Sequence, residues 1–294
     1  MKKYYLSHLS AAKLWNVPNI DTVIDRRSNI GDDKVEVTVP QNSVRFRTGR
    51  KMIHSCELDL PASAIVSRNG EMVASPELLF LEFASELSIH RLILLGLQLC
   101  SHKHGKPYEA ITTKEKLESF LANTAGHRGQ RKAIRAVKYV KNGSASIMES
   151  LMYMVLTLPY ALGGYGLNGA VFNYRVELNS EARKLLYKNC CYPDLYYKKE
   201  RIAVEYDSYT HHSSPMEQGK DSIRADALAA QGIQVIKMNT IQLYDRDACR
   251  LFAHNLAARL NKRINIRTKS FDKMHVHLRE LLPTAKPVLK AENS

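Results

Sequence analysis

The segment from Tyr192 to Asp207 constrains the fold most, because its two apolar runs pair in only one way. Tyr192 to Lys198 and Arg201 to Asp207 both read as strands, rich in aromatic and β-branched residues and joined by a short polar turn. With Lys199 and Glu200 as the turn, Lys198 faces Arg201, Tyr197 faces Ile202, Leu195 faces Val204 and Asp194 faces Glu205. The two apolar pairs then share one face, and a slip of one residue breaks them. Asp207 lies two residues beyond Glu205 and so points to the same face. Directly opposed residues have Cβ atoms roughly 5 Å apart, and like charges so placed destabilise a strand pair. A divalent cation would neutralise Asp194, Glu205 and Asp207, and hard oxygen ligands suit Mg²⁺ or Mn²⁺. The alternative is a solvated sheet face on which Lys198 or Arg201 pairs with the acids.

The flanking pattern implies helices on both sides of a mixed sheet. A helix is expected from Ile147 to about Leu158, ended by Pro159, then a glycine-rich loop to Gly169 and a strand from Val171 to Leu178. After the hairpin come a capped helix from Pro215 to Gln231, a strand from Ile233 to Met238 and a long helix from Thr240. The front of the chain reads as α+β. A short helix after Ser10 ends before Pro18, and strands are expected at Lys34 to Val39, Val44 to Arg47 and Met52 to Cys56. Ser75-Pro76-Glu77 starts a helix running through Leu99, Thr112-x-x-Glu115 caps a second, and a third covers about Arg128 to Val140. The turn at Lys141-Asn142-Gly143-Ser144 divides an N-terminal α+β domain, 1–141, from a second domain, 142–265, followed by a basic tail, 266–294.

Charge narrows the partners. The formal net charge is +14, which favours polyanions: nucleic acid first, an anionic membrane second. Arg128, Arg131, Arg135 and Lys138 recur at helical spacing on one face, suited either to a phosphate backbone or to plain solvation. The longest apolar run, Leu92 to Cys100, is too short to span a bilayer, so no membrane association is expected. The five cysteines include no CxxC pair, and no signal peptide is legible at the start. Reduced thiols in a cytoplasmic protein are therefore expected. Cys190, Cys191, His211 and His212 form a rival zinc set, although adjacent cysteines serve a tetrahedral ion poorly.

A family resemblance rests on residues 192 to 238. Tyr192-Pro193-Asp194-Leu195, Val204-Glu205-Tyr206-Asp207-Ser208, His211, Asp221-x-x-Arg224-x-x-x-Leu228 and Gly232-x-x-Val235 resemble the very-short-patch-repair-like endonucleases of the PD-(D/E)xK superfamily. The match covers roughly residues 146 to 260. It implies a restriction-endonuclease-like core of mixed sheet flanked by helices, with Asp194 and Glu205 binding a divalent metal. It also implies an acid from the preceding helix, for which Glu149 is the candidate; Ser146-x-x-Glu149 is equally a capping box. Asp207 stands where the superfamily usually has Lys, and Ser208 where this branch usually has Gly. The basic partner must then come from elsewhere: His211 first, then His212, Lys220, Arg224 or Lys237. Val73-Ala74-Ser75-Pro76-Glu77 and the Leu-rich helix after it faintly resemble the region beside abortive-infection antitoxin domains.

The resulting expectation is a Mg²⁺- or Mn²⁺-dependent endonuclease. Asp194, Glu205, Asp207, Glu149 and His211 would form its site. DNA, or RNA, would be held by Arg128, Arg131, Arg135, Lys138 and Arg224. The rival is a nuclease-fold DNA-binding or antitoxin-like regulator without catalysis.

Overall fold

The computed structural model describes residues 4–24, 34–41, 49–207 and 215–283. It is a mixed α/β structure. The front segment comprises β1 (Tyr5–Leu6), α1 (His8–Leu14), α2 (Ile20–Ile24), β2 (Val35–Val39), β3 (Lys51–Ser55), β4 (Ile65–Arg68) and β5 (Glu71–Ala74). Among the described residues these strands form a five-stranded sheet of order β3-β2-β1-β5-β4, with parallel and antiparallel neighbours mixed. The strand expected at Val44 to Arg47 lies outside the described residues, and α1 begins earlier than expected.

Helices follow: α3 (Pro76–Ala84), α4 (Ile89–Leu99), α5 (Lys114–Ala122) and α6 (Gln130–Val137). The single helix expected from Pro76 through Leu99 is therefore two. Ser88 starts α4 by accepting a hydrogen bond from the Arg91 amide at 3.3 Å, just as Ser75 starts α3. The cap of α5 is Thr113, not Thr112, whose hydroxyl instead donates to Glu77. Helix α6 is also shorter than expected. Gly129 precedes it at φ +85°, where a Cβ would lie 2.7 Å from the Ser85 amide nitrogen. Arg128 thus sits outside the helix that carries Arg131 and Arg135.

The rest contains α7 (Ile147–Thr157), β6 (Val171–Phe172), β7 (Val176–Glu177), α8 (Ser180–Leu186), β8 (Cys190–Cys191), β9 (Leu195–Tyr197), β10 (Ile202–Asp207), α9 (Pro215–Ala229) and β11 (Gln234–Asn239). It ends with α10 (Thr240–Tyr244), α11 (Arg246–Arg259) and α12 (Phe271–Arg279). The long strand expected over Val171 to Leu178 is split, with Asn173 at φ +44° between its halves. Helix α8 had no counterpart in the sequence reading. The final helix breaks at Asp245, which caps α11 through the Ala248 amide.

The second sheet has the order β11-β10-β9-β6, with β10 and β11 parallel and the other pairs antiparallel. Tyr197 pairs Ile202 and Leu195 pairs Val204, the register read from the apolar pairs. The turn is wider than two residues, covering Lys198 to Arg201 with Arg201 at φ +56°. Leu195, Tyr197, Ile202, Val204 and Met238 belong to the main core, with α7 packed on β10. Tyr196, Ala203, Leu228 and Ile233 form a second core, on the side covered by α9. Helices thus lie on both faces. The main core is continuous from Tyr5 to Leu281, so the expected front and back domains share it, with α4 against α7.

Part of the stretch read as a basic tail is α12, whose Phe271, His275 and Leu278 are buried. It docks on the glycine loop. His275 Nδ1 lies 2.7 Å from the Gly163 carbonyl oxygen. No helix among the described residues is long and apolar enough to cross a membrane.

Candidate metal centre

Strand β10 runs three residues beyond its pairing with β9, because β9 starts only at Leu195. The Tyr206 amide would therefore have no ladder partner. The Asp194 side chain takes that place: its Oδ2 accepts the Tyr206 N–H at 2.8 Å. Asp194 is therefore not a strand residue, and strict alternation does not govern where its carboxylate points. Asn173 completes the join by donating its amide to the Asp194 carbonyl oxygen at 3.2 Å.

On the other side stands α7. Ser146 caps it by accepting from the Glu149 amide at 3.1 Å. The Glu149 carboxylate reaches back to the Ala145 amide at 2.9 Å and accepts from Asn173 Nδ2 at 2.7 Å. Both bonds go to Oε2, so capping uses one oxygen and is compatible with a second role. Glu149 is buried, and the Oδ1 atom of buried Asn173 has no hydrogen-bond partner.

A third group comes from the loop after α4. His102 donates its amide to the Ser144 carbonyl and Gly143 donates to the Cys100 carbonyl, each at 3.0 Å. These bonds tie the loop to the turn that precedes α7. They bring His104 to the site, its ring stacked near Tyr192 with centroids 5.8 Å apart. One ligand atom each from His104, Glu149 and Asp194 lies within 4.8 Å of the other two. Sequence reasoning missed His104; the His102-x-His104 pair is the only local signal it left.

Burial and then the neighbouring Glu149 push the Asp194 carboxyl up to about 7, against the favourable Tyr206 amide and Arg224. Burial likewise raises Glu149. Two acids sharing a desolvated space resist ionising together unless a cation joins them. The donor set fits one: carboxylate oxygens from Asp194 and Glu149 and an imidazole nitrogen from His104. Oxygen ligands admit Mg²⁺, and the imidazole tilts the set toward Mn²⁺.

The remaining expected residues are placed differently. Glu205 points to the α9 side, where Arg224 Nη1 donates to its Oε2 at 3.2 Å and Nη2 forms an ion pair with its Oε1 at 2.8 Å. Arg224 also donates to the Tyr192 carbonyl at 3.3 Å. The β9–β10 ladder ends at Leu195 and Val204, so Asp194 and Glu205 lie just beyond it; the Asp194 carboxylate accepts the Tyr206 amide and lies near His104 and Glu149, while Glu205 pairs with Arg224. Asp207 is exposed at the end of β10, and Lys237 is the β11 neighbour of Glu205. His211 and His212 lie outside the described residues, as do Ser208 and the rest of that loop. Arg128, Arg131, Arg135 and Lys138 are all exposed. Cys190 and Cys191 are adjacent on β8, and among the described residues neither joins a cluster of metal-ligating side chains.

Arg224 neutralises a largely buried acid, so Arg224→Met should cost about 2 kcal/mol, less than a fully buried pair because both groups keep some solvent. Urea unfolding of Arg224→Met and of the double variant Arg224→Met/Glu205→Gln measures it. The double variant should recover most of the loss.

Comparison with family models, curated proteins and solved structures finds no match for this chain.

Proposed function

We propose that this protein is a divalent-metal-dependent endonuclease that hydrolyses phosphodiester bonds in DNA, on a PD-(D/E)xK-type core. The observation that carries the reading is the convergence of His104, Glu149 and Asp194 at the end of a mixed sheet, beside the Arg224–Glu205 pair. The motif order Asp194, Glu205, Asp207 is the sequence feature on which the resemblance rests.

A bound Mn²⁺ or Mg²⁺ supplies a Lewis acid for the scissile phosphate and acidifies water at neutral pH. Asp194 and Glu149 would hold it, with His104 on the open side. Arg224, paired with Glu205, offers positive charge close enough to Asp194 to favour its ionised form. It would bind a phosphate oxygen and so position the strand. The Asp194 carboxylate is held at one oxygen by the Tyr206 amide, which limits its rotation. Exposed Arg131, Arg135 and Lys138 would contact the backbone without reading bases.

The test is incubation of purified protein with plasmid and Mn²⁺ or Mg²⁺. Wild type should nick or cut, and His104→Ala should lower metal affinity by about 10–100-fold. Equal, absent cleavage by wild type and Asp194→Ala would sink the enzymatic reading. Replacing Arg131, Arg135 and Lys138 together by Ala should weaken DNA binding and reduce the salt slope by about 2.7, three contacts at roughly 0.9 each. An unchanged slope in a salt titration would exclude that surface.

The Arg224 clamp on Glu205 favours a second reading, a nuclease-fold DNA-binding regulator without turnover. That reading predicts salt-sensitive DNA binding indifferent to metal and no saturable Mn²⁺ heat in calorimetry.

A further inference from the structure

The front sheet carries a cavity of about 280 Å³ remote in sequence from the centre above. Tyr5, Thr38 and His54 line it from the strand side, and Glu82 and Glu86 from the α3 side. Such an interior is unusual. The buried Tyr5 hydroxyl faces Thr38 and Glu82 across it. Tyr5 and Thr38 are 5% and 2% exposed. Polar side chains buried around a cavity favour a polar or charged ligand over an apolar one.

Three metal-ligating side chains meet at this cavity. One atom each from His8, His54 and Glu86 lies within 4.8 Å of the other two. His8 Nε2 is 3.4 Å from Glu86 Oε1, and the His8 and His54 rings stack with centroids 3.8 Å apart. His8 is held there deliberately. Its backbone adopts φ +46°, a left-handed conformation that costs a non-glycine residue about 1–3 kcal/mol. Its amide donates to Glu82 Oε2 at 3.1 Å, and Nδ1 lies 3.1 Å from the Ser7 hydroxyl. A partner on Nδ1 orients the ring and leaves Nε2 facing Glu86, the arrangement that outer-shell groups impose on metal-binding histidines.

We propose that His8, His54 and Glu86 form a zinc site, separate from the nuclease-type centre and independent of that reading. Two imidazoles and one carboxylate supply three of zinc's four positions, and the cavity leaves the fourth open to water or a small ligand. Cys56 and His127, whose Sγ and Nδ1 are 3.8 Å apart, border the same space. The ion would join the start of α1, strand β3 and the segment after α3, which are separated by dozens of residues along the chain.

The experiment uses the full chain carrying Asp194→Asn, which disables the other centre. Zn²⁺ alone is titrated by calorimetry, and metal retained after gel filtration is counted by mass spectrometry. The expected result is one retained equivalent, with affinity falling at least about tenfold in both Glu86→Gln and His54→Gln. Glu86 is partly exposed, so its variant should keep the parent's circular dichroism and report on binding rather than folding. Co²⁺ should give the visible absorption of a four-coordinate ion in the parent and lose it in Glu86→Gln. No saturable zinc heat in the parent, or unchanged affinity in both variants, overturns the site.

Discussion

Asp194→Asn should abolish metal-dependent cleavage and, without metal, make the protein more stable above pH 7. The first effect follows from removing a ligand. The loss should exceed the ~10–100-fold typical of deleting an outer partner at a metal site. The second follows from the sign of the pKa shift. Asp194 is raised from an ordinary value of 3.8 to about 7 in the fold, by burial and by Glu149. A raised carboxyl stabilises while protonated: its contribution is complete below the unfolded pKa near 4 and is lost as pH rises through about 7. At pH 8 the metal-free wild type therefore holds an ionised acid beside a second acid, also raised by burial. Asn removes that charge and can still accept the Tyr206 amide. The gain should be on the order of 2–4 kcal/mol at pH 8 after solvent screening, and should vanish near pH 4. Urea unfolding at pH 4, 6 and 8 reads it directly. Mn²⁺ should stabilise wild type at pH 8, do little at pH 5 where protons compete, and leave Asp194→Asn unmoved. Parallel pH profiles for the two proteins would show that the carboxylates do not share one desolvated space.

Gly163→Ala should be among the most damaging single-methyl changes in the chain. Gly163 lies at φ +76°, and an added Cβ would sit 2.4 Å from the backbone nitrogen of His275. That neighbour is main chain, so it cannot swing aside. Relief would require lifting α12 off the glycine loop, breaking the His275 contact to the Gly163 carbonyl and exposing Phe271 and Leu278. Left-handed strain and overpacking together should cost at least about 3 kcal/mol. Gly126→Ala is the control. Gly126 has a similar φ of +86° but open space around its Cβ, so it should show the conformational part alone, about 1 kcal/mol. The difference in urea midpoints at constant slope isolates the clash. Equal costs at the two positions would mean that α12 is not seated on Gly163.

The centre was legible in proportion to how local its determinants are. The hairpin register came from two apolar pairs, since a period of two leaves one alignment that keeps both on the core side. The pairing stops at Leu195 and Val204, one residue short of the opposition of Asp194 and Glu205 expected from it. Where their carboxylates point was not legible. It depends on β9 ending before β10 does, which frees the Tyr206 amide to bind Asp194. Glu149 was visible twice, as a cap and as a candidate acid, and the structure gives it the cap while placing it against Asp194. His104 was invisible, because a loop residue has no periodicity and its position depends on hydrogen bonds to Ser144 and Cys100. The split of the Leu-rich stretch into α3 and α4 was missed for a related reason. Apolar patterning continues across a break that only the Ser88 cap marks.

Sequence alone determined the α/β class, the strand register of the hairpin and the starts of α3, α7, α9 and α10, because these follow from side-chain period and from capping signals within a few residues. Tertiary structure decided which acids share a space, that Arg224 claims Glu205, and that His104, His8, His54 and Glu86 have metal-ligating neighbours at all. Those facts depend on where distant segments meet in three dimensions, and a carboxylate's partners are set by the nearest charge or donor in space, whatever its distance along the chain.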